Sequence, residues 1–515
     1  MNKHIRNSIM YNVYPTSFYD SNGDGIGDLK GITQKLPYIQ QFADIVWVNP
    51  VFKSPFRDGG YDIADYYAID ERFGTMEDAE ELFAKAHELG LKVLFDLVVG
   101  HTSDEHPWFL ESQKHEPNQY SDYYIWTDDV YGGPVPYNNI SGNSERNGNY
   151  ILNYYCFQPA LNFGFAEKNF PWQNHYLDEP CLKIHEEVYN IIRFWMAKGV
   201  DGFRVDMAPS IIKGDTVEKK CACEVWTKIF GRVREEYPDA IFAAEWGQPE
   251  YAVANGSFDI DFFTHECDEG YTNLLRNQPD ANIIARDGHS FFQKEGLGES
   301  KKFFNYFTRN LKAVNEKGYI SIPTGNHDLP RFSKWRDAED LKAVFAFILA
   351  LPGVPLIYYG DEIGMTYEKI KNKDGGYRRT GSRTPMQWTG GKNAGFSDSD
   401  GELYLPIYDD YQDINVQLQE SRDDSLINTV KAMVAVKRQY PELFAADNAF
   451  EVVLDDYPAA FKRTDGQNTL LCIVNPSARE YTVETTVGET LLSANVTVEE
   501  GKVIMGPVSY LWMKL

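Results

Sequence analysis

Three acidic residues stand at or just beyond the C-terminal ends of three strand-like runs, where carboxylates could do acid–base and nucleophilic work. The first run is Val200-Asp-Gly-Phe-Arg-Val-Asp-Met-Ala-Pro209, in which Phe203 and Val205 alternate with Arg204 and Asp206 before Pro209 ends any strand. The others are Ala240-Ile-Phe-Ala-Ala-Glu245-Trp246 and Tyr319-Ile-Ser-Ile-Pro-Thr-Gly-Asn-His327-Asp328. Taken alone, Arg204 and Asp206 would read as a structural salt bridge, because two buried charges are tolerated when they pair. Three acids at three strand ends call for a common explanation.

The elements that must position them alternate in type. Short apolar runs occur at Ile9 to Phe18, Ala43 to Val51, Lys92 to Val99, Gly202 to Asp206, Ala240 to Trp246, Phe258 to Phe263, Tyr319 to His327 and Val354 to Tyr359. Between them lie helical patterns such as Met76 to Gly90 and Cys181 to Gly199, where Val188, Ile191, Ile192 and Trp195 share a face. Eight such units predict an α/β fold of the (β/α)8 TIM-barrel type, with an open doubly wound sheet as the alternative. The barrel is assigned residues 1–100 and 173–444. Residues 101–172, rich in Asn, Gly, Tyr and Pro, are too long for a plain loop and form a small excursion domain after the third strand. From 445 to 515, short Val, Thr and Leu runs such as Thr469 to Val474 predict a separate C-terminal antiparallel β-sandwich domain.

In a barrel the C-terminal strand ends converge on one face. Asp206, Glu245 and Asp328 would then share a cleft with Asp96, His101, Arg204 and His327. Arg204 would hold Asp206 ionised, and Glu245, flanked by Ala243, Ala244 and Trp246, would keep its proton. One bare and one protonated carboxyl group are what a retaining glycosidase requires.

Composition narrows the partner. The 515-residue chain carries 50 Lys and Arg against 76 Asp and Glu, a net charge of −26. That charge repels nucleic acid and anionic lipid, whereas 33 Tyr and 10 Trp suit the apolar faces of a neutral sugar. The expected partner is a small oligosaccharide, with no nucleic acid and no membrane, bound by a monomer or homodimer. The N-terminal residues lack the apolar stretch of a signal peptide. The longest apolar run, Ala343 to Gly360, is broken by Pro352 and Pro355 and reads as a buried helix followed by a buried strand. Six cysteines (156, 181, 221, 223, 267 and 472) form no C-x-x-C pair, so they are expected as reduced thiols in a cytoplasmic protein.

One loop carries a metal signal. In Asp20-Ser-Asn22-Gly-Asp24-Gly25-Ile26-Gly-Asp28, oxygen side chains stand at positions 1, 3, 5 and 9, and the Ile26 carbonyl stands at 7. Hard Ca²⁺ prefers such a set, although Gly31 replaces the bidentate Glu of an EF-hand. The expectation is a structural Ca²⁺ held by Asp20, Asn22, Asp24, Ile26 and Asp28, with solvated acids on a Gly-rich turn as the alternative.

Four segments together resemble the α-amylase family of glycoside hydrolases, in particular its oligo-1,6-glucosidase and α-glucosidase branch. They are Asp96-Leu-Val-Val-Gly-His101, Gly202-Phe-Arg-Val-Asp206, Ala244-Glu245-Trp246 and Gly325-Asn-His327-Asp328, in the expected order and spanning nearly the whole chain. The resemblance implies Asp206 as nucleophile, Glu245 as acid and base, and Asp328 as the residue that binds sugar hydroxyls and helps distort the ring. It also implies that His101 and His327 hydrogen-bond the reacting sugar, that Arg204 orients the nucleophile, and that Tyr61 stacks on the ring. Asp62 and Arg383 are similar to a pair that clamps a terminal, non-reducing glucose, which implies an exo-acting α-glucosidase.

The chain also departs from the family pattern. Gly100 precedes His101 where the family has Asn, Met207 follows Asp206 where Val or Thr accompanies linkage preference, and Ala160 replaces an Asp in Gln158-Pro-Ala-Leu-Asn162. Linkage therefore stays open. A glucosyl-transferring or isomerising relative such as trehalose synthase is the alternative activity, and a non-catalytic family member is the alternative class.

Overall fold

A computed structural model describes residues 2–131, 135–263, 270–277 and 288–515. Eight parallel strands lie within the eight expected runs: β1 (Met10–Val13), β2 (Ile45–Val48), β3 (Lys92–Leu97), β4 (Gly202–Val205), β5 (Ile241–Ala244), β6 (Ile260–Phe262), β7 (Tyr319–Ser321) and β8 (Leu356–Tyr358). Their order in the sheet is β7-β6-β5-β4-β3-β2-β1-β8. The ring closes between β7 and β8, where Val354 N–H donates to the Ile320 carbonyl at 2.9 Å and Thr324 N–H to the Leu356 carbonyl at 2.9 Å. The fold is a TIM barrel, and the open doubly wound sheet is excluded.

The strands are buried on both faces, as parallel strands beneath helices must be. One set of side chains, including Met10, Ile45, Trp47, Leu94, Ile241, Ala243, Ile260, Phe262, Tyr319 and Leu356, forms the inner core, plugged at the bottom by Ile5. The alternate set, including Val46, Val93, Phe95, Phe203, Val205 and Phe242, packs in the larger cluster with the helices. The helix Met76–Glu88 starts at a capping box made by Thr75 and Asp78, and Glu179–Lys198 ends on left-handed Gly199 at φ 114. No helix among the described residues is long and apolar enough to cross a membrane.

Between β3 and the helix Glu179–Lys198, the strands Asn139–Ser141 and Asn149–Ile151 pair antiparallel above a small core of Ile125, Ile151, Ala160 and Phe165. After the helix Leu426–Gln439 come β9 (Ala449–Asp455), β10 (Ala459–Thr464), β11 (Thr469–Asn475), β12 (Tyr481–Glu484), β13 (Glu489–Glu499) and β14 (Lys502–Lys514), in one connected antiparallel sheet. Pro507 and Val508 interrupt β14 between the half that pairs with β12 and the half that pairs with β11. The sheet is fastened to the barrel by buried Arg463, which donates to the carbonyls of Ala350 and Leu351 at 2.8 and 2.9 Å, and by the Trp512 indole on the Ala346 carbonyl. Cys156, Cys181, Cys221, Cys223 and Cys472 are free thiols, and Cys267 lies outside the described residues.

Candidate active site

Strand periodicity alone places the polar groups. Inward positions recur every second residue, so the apolar inner core gives way to polar side chains toward the C-terminal end: Met10 then Asn12, Trp47 then Asn49, Leu94 then Asp96, Gly202 then Arg204 and Asp206, Ala243 then Glu245. The register of β3 against β4 sets Asp96 directly beside Arg204, and that of β4 against β5 sets Arg204 beside Ala243.

Arg204 therefore reaches three carboxylates. Its Nη1 lies 2.6 Å from Asp96 Oδ1 and 2.9 Å from Asp206 Oδ1, and its Nη2 lies 2.7 Å from Glu245 Oε1. Glu245 is fixed a second time, because the Met207 N–H donates to its Oε2 at 2.9 Å. Met207 has left-handed backbone angles, φ 41 and ψ 41, a conformation that costs a long side chain about 1–3 kcal/mol and is found at sites where geometry matters more than comfort. Beneath Glu245, buried Asp261 accepts from the N–H groups of Trp246 and Gly247 at 3.1 and 3.2 Å and so holds the loop that follows β5.

The electrostatics differ from the expectation that Arg204 holds Asp206 ionised, because burial outweighs its pull. One guanidinium faces both acids. The Asp206 side chain is 9% exposed and that of Glu245 28%. Burial and the neighbouring Glu245 carboxylate push Asp206 well above the usual carboxylate range, against the pull of Arg204. Burial also raises Asp96, opposed by Arg204 and His327. Three carboxylates around one cation leave excess negative charge in a dry place, which favours the neutral form of the buried Asp206.

Asn49, at the end of β2, links this group to the third acid. Its amide donates to the Tyr61 hydroxyl at 2.9 Å and to Asp96 Oδ2 at 3.3 Å, and lies 3.2 Å from His327 Nδ1. His327 Nε2 is 3.0 Å from Asp328 Oδ2, and the Tyr61 ring stacks on the imidazole at 5.2 Å with an interplanar angle of 7°. Asp328 Oδ1 receives Arg379 at 2.8 Å and Arg383 at 3.0 Å. Burial would raise Asp328, but His327, Arg379 and Arg383 outweigh it and hold the carboxyl well below its ordinary value. Asp206, Glu245, Asp328, Asp96, Arg204, His327, Tyr61 and Arg383 are thus joined in one network.

Two expected residues sit differently. Asp62 does not meet Arg383. Its carboxylate accepts from Ser54 Oγ at 2.9 Å and from the N–H groups of Arg57 and Asp58 at 3.0 and 3.2 Å, so it pins the loop instead. The acid that this loop presents is Asp58, 3.2 Å from Arg379 and 2.8 Å from the Gln158 amide, its carboxyl pushed up to about 6 by burial. Gly59 lets the loop come this close, since a Cβ there would stand 2.8 Å from Arg383 Nη1. The second is His101, which has no free ring nitrogen: Nε2 lies 2.9 Å from the Tyr61 carbonyl and Nδ1 3.0 Å from the Asn153 amide. Asp58, Arg379, Asn49 and Asn153 were not singled out from sequence. The available signals were the double glycine after Asp58, the Arg378-Arg379 pair before Arg383, and Asn49 at a strand end.

The Asp20 loop lies apart from this network. Asp20 accepts from the N–H groups of Asn22, Gly23 and Gly25 and from Ser397 Oγ, while Asp28 caps the helix Leu29–Ile39 through Gly31 and also receives Ser21. Asn22 and Asp24 are exposed. The donors are all hard oxygens, which suits Ca²⁺, but the Asp20 carboxylate is already occupied by four hydrogen bonds. Two cavities, of about 260 and 940 Å³, lie along the helix Lys301–Val314 and β9, and neither contains any of the strand-end acids.

Comparison with known proteins agrees with this geometry. Residues 12–446 match the family model described as alpha amylase, catalytic domain. The chain is 32% identical to a glucan 1,6-alpha-glucosidase of Streptococcus pneumoniae, covering 96% of this chain and 95% of that one. It is also 32% identical to an oligo-1,6-glucosidase of Parageobacillus thermoglucosidasius, covering 92% and 90%. Among solved structures, an isomaltulose synthase from Klebsiella sp. LX3 superposes with a TM-score of 0.82 at 26% identity, covering 99% of each chain. With the barrel, the acids on its C-terminal face and these full-length matches in hand, the chain belongs to the α-amylase family of glycoside hydrolases, in its oligo-1,6-glucosidase branch.

Proposed function

We propose that the protein is a retaining, exo-acting α-glucosidase that removes glucose from the non-reducing end of short α-glucosides, with α-1,6-linked oligosaccharides as its preferred class. The observation that carries the reading is the bridging of Asp206 and Glu245 by a single guanidinium at the ends of adjacent strands. Arg204 holds Asp206 Oδ1, and Oδ2 is the oxygen that attacks the anomeric carbon. Glu245 gives its proton to the departing glycosidic oxygen. The resulting ester between Asp206 and C1 is then broken by a water molecule that Glu245 deprotonates, so two inversions restore the α-anomer. Asp328, charged and held by two arginines, accepts hydrogen bonds from the sugar hydroxyls, and Tyr61 stacks beneath the ring.

The exo reading is supported by Asp58, Arg379 and Arg383, whose charges gather around Asp328. Charged groups gathered there suit the hydroxyls that only a chain terminus offers. The preference for α-1,6 follows the names of the curated relatives. A glucosyl transferase or isomerase would use the same intermediate with a sugar hydroxyl in place of water, and likeness to the isomaltulose synthase favours it as the second reading. The free thiols of the five described cysteines support a cytoplasmic reading. A structural Ca²⁺ held by Asp20, Asn22, Asp24, Asp28 and the Ile26 carbonyl would neutralise the acids of a tight turn.

A panel of isomaltose, panose, maltose, sucrose and trehalose, with anomers followed by NMR, tests the reading. Release of α-glucose first, fastest from isomaltose or panose, is expected; β-glucose first, or activity on interior bonds of long chains, would overturn it.

A further inference from the structure

The wall that carries Tyr61 is buttressed from behind by a chain of hydrogen bonds whose polarity is fixed at both ends. At one end Lys213 Nζ lies 3.0 Å from Asn153 Oδ1 and 3.1 Å from the Ser210 carbonyl, and an ammonium can only donate. Asn153 must then turn its oxygen toward Lys213 and its NH₂ toward His101 Nδ1, 3.0 Å away. At the other end His101 Nε2 meets the Tyr61 carbonyl at 2.9 Å, and a carbonyl can only accept. Both ends therefore demand the same arrangement: Nδ1 bare and Nε2 protonated.

Gly100 belongs to the same device. Its backbone is not left-handed, so conformation does not require glycine there. The three atoms nearest a Cβ at residue 100 would all belong to Asn153, with the amide nitrogen at 2.9 Å, Cγ at 3.6 Å and Oδ1 at 3.9 Å. The missing side chain is the space in which the amide sits.

We propose that Asn153, contributed by the segment between β3 and the helix Glu179–Lys198, is a positioning residue that fixes His101 in its Nε2–H tautomer and thereby holds Tyr61 in register over His327, with Gly100 kept small to admit it. This rests on the glucosidase reading for its effect on turnover, while the tautomer is independent of any substrate. Burial pushes the His101 imidazolium down to about 4, so the ring is neutral and its single proton must be placed by its neighbours.

Asn153→Asp keeps size and shape but offers only acceptors, so His101 must either move its proton to Nδ1 and set a bare Nε2 against the Tyr61 carbonyl or take a second proton and become imidazolium; either way the neutral Nε2–H tautomer is lost. We expect kcat/KM on p-nitrophenyl α-glucoside to fall by about tenfold or more, with little change in thermal midpoint. Imidazole ¹⁵N shifts, with His101 assigned by its own substitution, should show the Nε2–H form in the wild type and its loss in Asn153→Asp. Gly100→Ala should act as a wedge, displacing the amide and costing a similar factor in wild type but nothing further in an Asn153→Ala background. It also reads the contact should Asn153→Asp fail to fold. A wild-type His101 in the Nδ1–H form, or additive losses in the Gly100→Ala and Asn153→Ala cycle, would overturn the proposal; an enzyme inactive on every α-glucoside but with His101 behaving as described would instead overturn the functional reading alone.

Discussion

Replacing Arg204 by Gln removes the one cation that three carboxylates share. The lost contacts are those at 2.6, 2.9 and 2.7 Å to Asp96, Asp206 and Glu245, each a charge-assisted bond of about 1.5–3 kcal/mol, and a Gln amide replaces at most two of them with neutral donors. Leaving buried charge uncompensated costs about 3–5 kcal/mol unless protons relieve it. Asp96 and Asp206 are already raised by burial, and without Arg204 they rise further. An acid whose folded value lies above its unfolded one gives stability below about pH 4, and that stability is lost as pH climbs through the folded value. The variant should therefore show a larger drop in thermal midpoint at pH 7.5 than at pH 5.0. With a protonated Asp206 the attack fails, so kcat/KM should fall by about 10³ or more, near 4 kcal/mol in the barrier. Calorimetry at the two pH values and hydrolysis of p-nitrophenyl α-glucoside measure both effects. A loss of activity below tenfold, or an equal midpoint drop at both pH values, would refute the reasoning.

Asp58→Asn should raise KM for isomaltose by about 10-fold to 100-fold with the fold intact, because it weakens a charged bond to Arg379, whereas Asp62→Asn should first lower the thermal midpoint; KM more sensitive to Asp62 than to Asp58 would reverse the assignment. Buried Glu362, bonded to the hydroxyls of Tyr11 and Tyr38, is pushed up by burial to about 7, so its contribution to stability should disappear as pH rises from about 4.5 to 7. Across that window wild type should lose up to about 3 kcal/mol relative to Glu362→Gln, read by calorimetry, and a constant difference would contradict the burial argument. Removing divalent ions with a chelator should lower the thermal midpoint, and added Ca²⁺ should restore it if the Asp20 loop holds the ion; no shift in either direction would leave the turn self-sufficient through its hydrogen bonds.

The barrel was legible because its strands are buried on both faces and so read as unbroken apolar runs, each ending where the inward side chain turns polar. Asp206 and Glu245 follow from the same alternation: two residues on from Arg204 and from Ala243, the chain must point the next side chain inward. The loops carry no such arithmetic. Asp62 is expected at the clamp only through its resemblance to the family's pair with Arg383, yet in the turn that carries it the carboxylate is taken up by Ser54 and the N–H groups of Arg57 and Asp58, and the acid that meets Arg379 is Asp58. Asn153 was silent because its role depends on a missing Cβ at Gly100, some fifty residues earlier, a relation that only packing reveals. The division of charge between Asp206 and Glu245 was also hidden, since flanking residues do not tell that one guanidinium reaches both.

The most direct test is covalent. A 5-fluoro glucosyl fluoride, which loses its anomeric fluoride on attack, slows breakdown of the ester more than its formation, so mass spectrometry of the quenched, digested protein should find one fluorohexosyl adduct, on the peptide containing Asp206 and on that residue. An adduct on Glu245 or Asp328, or inactivation with no adduct anywhere, would contradict the central claim.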